Sequence, residues 1–122
     1  MTGYDDDVAA AGSAGTTPVD ARLRRIGDLT IDVAGREVSV DGRAVALTRT
    51  EFDLLAALSR DPGVVFTRSQ LIERVWGPNW VGDDHLVDVH VAHLRRKLGD
   101  EATRGRYVRT VRGVGYRMGP GR

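Results

Sequence analysis

The hydrophobic period of the chain changes twice, and that alternation restricts the fold more than any other feature. Apolar residues recur at every second position in Leu29, Ile31 and Val33, again in Val38 and Val40, and again in Val45 and Leu47. A repeat of two is that of a strand with one covered face. Asp41-Gly42 separates two of these runs, and Gly accepts the positive φ that a type I′ hairpin turn demands. Residues 26–47 are therefore expected to form a small antiparallel sheet of three or four short strands.

At Thr48 the period becomes helical. Thr48-Arg49-Thr50-Glu51 is a capping box, in which the Thr hydroxyl accepts an early backbone N–H and the Glu reaches back. Phe52, Leu54, Leu55 and Leu58 then mark a broadly buried helix, stopped by Asp61-Pro62-Gly63. Val64-Val65-Phe66 reads as an extended link. Thr67-Arg68-Ser69-Gln70 is a second capping box, and Leu71, Ile72, Val75 and Trp76 share one face of a short helix that Gly77-Pro78 ends. A loop over 77–83 contains Trp80. Asp83 or Asp84 can cap a third helix over 84–98. In it Val87, Val91, Leu94 and Leu98 form a narrow buried stripe, and Gly99 stops it. The opposite face carries His85, Val89, Ala92, His93 and Arg96. Asp88 and Arg95 flank the stripe on one side, His90 and Lys97 on the other. Period two then returns: Tyr107 to Val111 reads as a strand, Arg112-Gly113-Val114-Gly115 as its turn, and Tyr116-Arg117-Met118 as the return strand.

Charge is unevenly placed. The net value of +1 over 122 residues conceals an acidic beginning and a basic end. Residues 1–21 hold Asp5, Asp6, Asp7 and Asp20 and no Lys or Arg, which leaves +5 on the remainder. From His85 onward there are nine Lys and Arg residues against Asp88, Asp100 and Glu101. A basic end suits a polyanionic partner, nucleic acid above all; a solvated Arg-rich surface is the bland alternative. Residues 1–22, rich in Ala, Gly, Thr and Asp, are expected to be a disordered tail or linker remnant. A folded domain over 23–119 follows, and 120–122 is expected to be a short C-terminal tail.

Three helices followed by a basic hairpin is the order of a winged helix-turn-helix. A helix held by one apolar stripe can offer its other face to the DNA major groove, which is wide enough to admit it. A twisted hairpin beside it can send an Arg into the minor groove, where negative potential is concentrated. Four segments carry a more specific resemblance. Glu51-Phe52-Asp53-Leu54-Leu55, Thr67-Arg68-Ser69-Gln70-Leu71 through Val75-Trp76-Gly77, Val87-Asp88-Val89-His90-Val91 through Leu94-Arg95-Arg96-Lys97-Leu98, and Thr110-Val111-Arg112-Gly113-Val114-Gly115-Tyr116 occur in the order and spacing of the OmpR/PhoB-family response-regulator effector domain. The chain resembles that domain from about Arg25 to Met118.

The resemblance implies an α+β fold: an N-terminal four-stranded antiparallel sheet, three helices and a C-terminal β-hairpin wing. It implies a sequence-specific regulator of transcription in a two-component system, with the helix over 84–98 in the major groove and the wing over 106–118 in the minor groove. Asp88, Val89, Ala92 and His93 would face base edges, Val89 offering only apolar contact such as a thymine methyl. Arg68, Trp76, His90, Arg95 and Thr110 would sit near phosphates, and Arg112 would enter the minor groove. The 77–83 loop would be the segment able to touch RNA polymerase. The isolated domain would be a weakly binding monomer that pairs on tandem half-sites. Two departures stand out. Ala92, His93 and His85 stand where relatives often carry long basic side chains, which leaves more of the discrimination to DNA shape. The family's receiver domain, roughly the size of this whole chain, has no room in it. The chain is then either an effector domain with its linker or a protein that lacks the switch.

Other chemistry finds little support in the residues. Cys is absent, which excludes disulfides, a thiolate zinc site and a Cys nucleophile, and suits a reducing, cytoplasmic setting. No apolar run approaches the ~18 residues of a membrane span, and Met1–Asp7 has neither the basic nor the apolar region of a signal peptide. The three His residues cluster on one helix without a suitably spaced carboxylate pair, so neither a metal nor a cofactor is expected. No P-loop, zincin motif or nucleophile elbow is present, so no enzyme is expected. The rival reading is a winged helix used for protein contacts, its basic wing binding an acidic partner.

Overall fold

Hydrogen-bond pairing turns the first period-two region into a meander. The computed structural model describes residues 23–101 and 104–122, so the expected tail over 1–22 lies outside the described residues. Strands β1 (Leu23–Ile26), β2 (Leu29–Asp32), β3 (Glu37–Val40) and β4 (Arg43–Ala44) pair in chain order, each antiparallel to the next. The register sets Leu29 opposite both Ile26 and Val40, and Ile31 opposite Val38. Leu29 and Ile31 are fully buried. Asp41 and Gly42 both have positive φ, 52° and 78°, as a type I′ turn requires.

The return strand is shorter than the alternation of Val45 and Leu47 suggests. The Val45 N–H still bonds the Val38 carbonyl at 2.9 Å, but ladder pairing ends at Ala44. Leu47 and Phe52 stand at the two positions of a hydrophobic staple around the Thr48 cap, where the chain passes from the sheet into the helix.

Helix α1 (Arg49–Arg60) opens on the expected capping box, with Glu51 N–H to Thr48 Oγ1 at 3.2 Å and Thr48 N–H to Glu51 Oε1 at 2.9 Å. Helix α2 (Arg68–Val75) opens on the second, formed by Thr67 and Gln70. Helix α3 (His85–Leu98) buries Val87, Val91, Leu94 and Leu98, the predicted stripe, and ends at Gly99, left-handed at φ 71°. The side-chain bond at its start comes from Asp83, whose Oδ1 accepts the His85 N–H at 2.9 Å; Asp84, at the cap position itself, makes no such bond.

The extended link before α2 does more than connect. Its end, β5 (Phe66–Thr67), pairs with the second strand of the hairpin, giving a three-stranded sheet of β5, β7 (Gly115–Met118) and β6 (Val108–Val111) in that order. A Cβ on Gly115 would lie 2.0 Å from the Phe66 carbonyl oxygen, so only glycine lets the two backbones meet there. Tyr107 is buried ahead of β6 rather than within it, its N–H given to the Asp100 carboxylate. The last residues are also anchored, unlike a loose tail. The Gly121 N–H bonds the Arg106 carbonyl at 2.8 Å, and Gly121 lies backbone to backbone with Gly27. One core of Leu, Ile, Val, Phe, Tyr and Met side chains joins both sheets to all three helices.

Candidate nucleic-acid interface

The α3 stripe leaves the opposite side of that helix in solvent. Val89, Ala92, His93 and Arg96 are exposed there, Val89 at 49%. Among the described residues, none covers the open half of that apolar side chain. Arg112 is exposed in the β6–β7 turn, shaped by Gly113 at φ 78° and closed by the Val114 N–H on the Val111 carbonyl at 2.9 Å. Among the described residues no carboxylate pairs with Arg96 or Arg112.

The residues expected near phosphates fall into two groups. Arg68, at the first turn of α2, donates from Nε to Asp88 Oδ1 at 2.7 Å, and its guanidinium lies 5.5 Å from the Tyr116 ring. The Tyr116 hydroxyl donates to the same Asp88 oxygen. Arg95 donates to the Val108 carbonyl at 3.1 Å and to Thr110 Oγ1 at 2.5 Å, and lies 5.6 Å from the Tyr116 ring. Arg68, Asp88, Arg95, Thr110 and Tyr116 thus form one network tying α2, α3 and the hairpin together. Asp88 has one oxygen committed inward, unlike the open Val89, Ala92 and His93. Burial alone would raise the Asp88 carboxyl, but the Tyr116 and Arg68 hydrogen bonds outweigh it and hold it below the usual carboxylate range. The same burial and the Asp88 anion push the Tyr116 phenol up. The second group is aromatic. Trp76, which ends α2, has its ring centre 5.5 Å from His90, and His90 stands edge-on to His93 at 6.3 Å.

Two members of the frame gave only faint signals in sequence. Tyr116 stands inside a quoted motif, yet its role between two arginines and a carboxylate depends on the β5–β7 pairing; Gly115 beside it is the trace of that approach. Asp100 reads as one more acid. In the structure it is buried and accepts three backbone N–H groups, from Arg106 at 2.7 Å, Tyr107 at 3.0 Å and Val108 at 2.9 Å, clasping the root of the hairpin to the end of α3. At the other end of α3, His85 Nδ1 lies 2.8 Å from Asp83 Oδ1, and that contact holds the imidazole above the usual histidine value. Among the described residues, no cluster of three or more His, Cys, Asp or Glu is placed to hold a metal ion, and no helix is long and apolar enough to cross a membrane.

A stripe-held helix with an open outer face, a second helix packed before it and an arginine-tipped hairpin after it define a winged helix-turn-helix domain. Comparison with known proteins gives the family. The model of the transcriptional regulatory protein C-terminal domain matches residues 42–118, and the chain belongs to that family, the OmpR/PhoB-type effector domains of response regulators. The DNA-binding response regulator MtrA of Mycolicibacterium smegmatis is 47% identical over 84% of this chain and 49% of its own, so the chain spans about half the length of that relative. The DNA-binding domain of Klebsiella pneumoniae RstA, solved in complex with the RstA box, superposes with a TM-score of 0.74 at 37% identity, covering 81% of this chain and 98% of that one. The OmpR/PhoB homologue DrrB of Thermotoga maritima gives 0.73 at 34% identity, over 80% of this chain and 44% of its own. The family is a class of transcriptional regulators rather than of enzymes.

Proposed function

We propose that the domain over residues 23–119 binds duplex DNA with α3 in the major groove and the β6–β7 wing in the neighbouring minor groove, and regulates transcription as the output half of a two-component response regulator in the cytoplasm. The observation that carries this is the shared exposure of the outer α3 face and Arg112, on two elements locked together by Arg95 and Asp100. A complex of such a domain with its DNA box, for the similar RstA domain, supports the reading.

Within it, Val89, Ala92 and His93 read base edges, and Arg112 enters the minor groove. Trp76 and His90 contact the sugar-phosphate backbone. Arg68, Arg95 and Thr110 approach phosphates from fixed positions, because their geometry is set by the protein's own network. Asp88 serves base readout through its remaining oxygen and holds Arg68 with the other. Discrimination by the short side chains of α3 leans on apolar contact and DNA shape, since no long basic chain stands at Ala92 or His93. A receiver domain or its linker, where these residues are part of a longer protein, tandem half-sites occupied by two copies of an otherwise monomeric domain, and RNA polymerase at the 77–83 loop complete the assignment.

The test is binding to random-sequence duplex DNA followed by fluorescence anisotropy across a salt series. Counterion release makes the logarithm of affinity fall by nearly one per phosphate contact for each logarithmic unit of salt. A steep negative slope is the expected result. No binding at ~50 mM salt, where such contacts are strongest, would replace this reading by that of a protein-contact module.

A further inference from the structure

We infer that Trp80, on the loop between α2 and α3, is a positioning residue for the backbone contacts of Trp76 and His90. The inference rests on the DNA-binding reading and adds a part to it that no motif marks.

The loop leaves α2 at Gly77, whose φ of 102° turns the chain outward, and the Trp80 ring folds back. Its centre lies 5.9 Å from that of Trp76, tilted by 43°. On the other side the ring meets Gly82: a Cβ built there would come within 2.3 Å of the indole Cη2. The indole is thus seated between a bare glycine backbone and Trp76. Trp76 in turn packs 5.5 Å from His90, and His90 6.3 Å from His93 on the outer face of α3. A continuous run of rings therefore leads from the loop to the readout surface.

What makes the run consequential is that, among the described residues, no side-chain hydrogen bond orients it. His90 Nδ1 is buried and has no hydrogen-bond partner, and among the described residues no side-chain hydrogen bond holds Trp76. The neighbouring Arg68 and Arg95 are each fixed by hydrogen bonds, whereas Trp76 is set by packing, against the core and against the Trp80 and His90 rings. Ring pairs have preferred tilted or edge-on geometries, so removing the outermost ring loosens the orientation of the ones behind it. Two side chains on different helices, both placed for the same backbone contacts, then lose their common brace.

The experiment compares the whole chain with Trp80→Ala, Trp80→Phe and Gly82→Val. Trp80 is only partly buried and lies in a loop, and retention of the thermal melt checks that each variant folds. Trp80→Ala is expected to weaken duplex binding about three- to tenfold, the factor that corresponds to one aromatic pair. Trp80→Phe should restore most of the loss, and Gly82→Val should reproduce it by evicting the ring. In a His90→Ala background the Trp80→Ala loss should shrink to less than half, because the brace has less to hold. The His90 ring-proton chemical shifts, read by NMR without DNA, should move in Trp80→Ala and recover in Trp80→Phe. Full loss retained in the His90→Ala background would mean that Trp80 acts on its own and would overturn the inference, as would wild-type affinity in Trp80→Ala. Unmoved His90 resonances would do so even if no DNA bound. Absence of wild-type binding with shifted resonances would instead overturn the function while leaving the brace intact.

Discussion

Changing Asp100 to Asn tests whether the wing is held by charge and geometry or merely by chain connectivity. The carboxylate is buried and accepts the N–H groups of Arg106, Tyr107 and Val108 at 2.7–3.0 Å. Asn is nearly isosteric. Its single carbonyl oxygen can serve Tyr107 and Val108 from the Oδ2 position, but an amide NH2 then faces the Arg106 N–H, donor against donor. Asp100 is itself buried, so water does not readily replace the lost acceptor. An orphaned buried donor costs ~1–3 kcal/mol. For a domain of roughly 100 residues each kcal/mol lowers the melting temperature by ~4–8 °C, which gives a drop of about 4–24 °C. Urea denaturation followed by circular dichroism measures the free energy, and a thermal scan the midpoint. A loss below about 1 kcal/mol, less than a single buried orphan costs, would refute the reasoning. It would show that the root of the wing finds other acceptors.

Three further outcomes follow from the same geometry. Arg112→Ala should weaken DNA binding on all sequences and reduce the salt slope by about one contact; an unchanged titration would remove the wing from the interface. His93→Ala should change the ranking of duplex sequences more than nonspecific affinity, and equal losses across a sequence panel would refute base readout there. The proton held by His85 depends on Asp83, which raises its titration above the ordinary ~6.5. The stabilisation it contributes is complete below that ordinary value and disappears as pH rises through the raised one. An NMR titration should show the His85 inflection fall back in Asp83→Asn, and an unmoved inflection would disprove the pairing in solution.

Much of the fold was legible because local signals agreed with the global answer. Both capping boxes, the Asp41-Gly42 turn, the Gly99 stop and the Val87–Leu98 stripe lie where the residues place them, since each depends on neighbours within a turn or two. The order of elements then left few topologies, and four motifs in register led to the family. The least legible features involve residues far apart in sequence. β5 pairs with β7 only once α1 brings Phe66 beside Gly115, and Gly121 finds Gly27 across almost the whole domain.

The candidate site divides along the same line. Sequence periodicity alone settles which side chains of α3 can face outward, because a helix with a four-three-four apolar stripe has only one buried face. It cannot settle what those side chains do with their polar atoms. Only the packed structure turns one Asp88 oxygen toward Arg68 and Tyr116, spends Arg95 on the wing and stacks Trp80 behind Trp76. Hydrogen bonds and ring contacts are decided by angstrom distances between elements that meet only after folding, and no spacing along a chain encodes those distances.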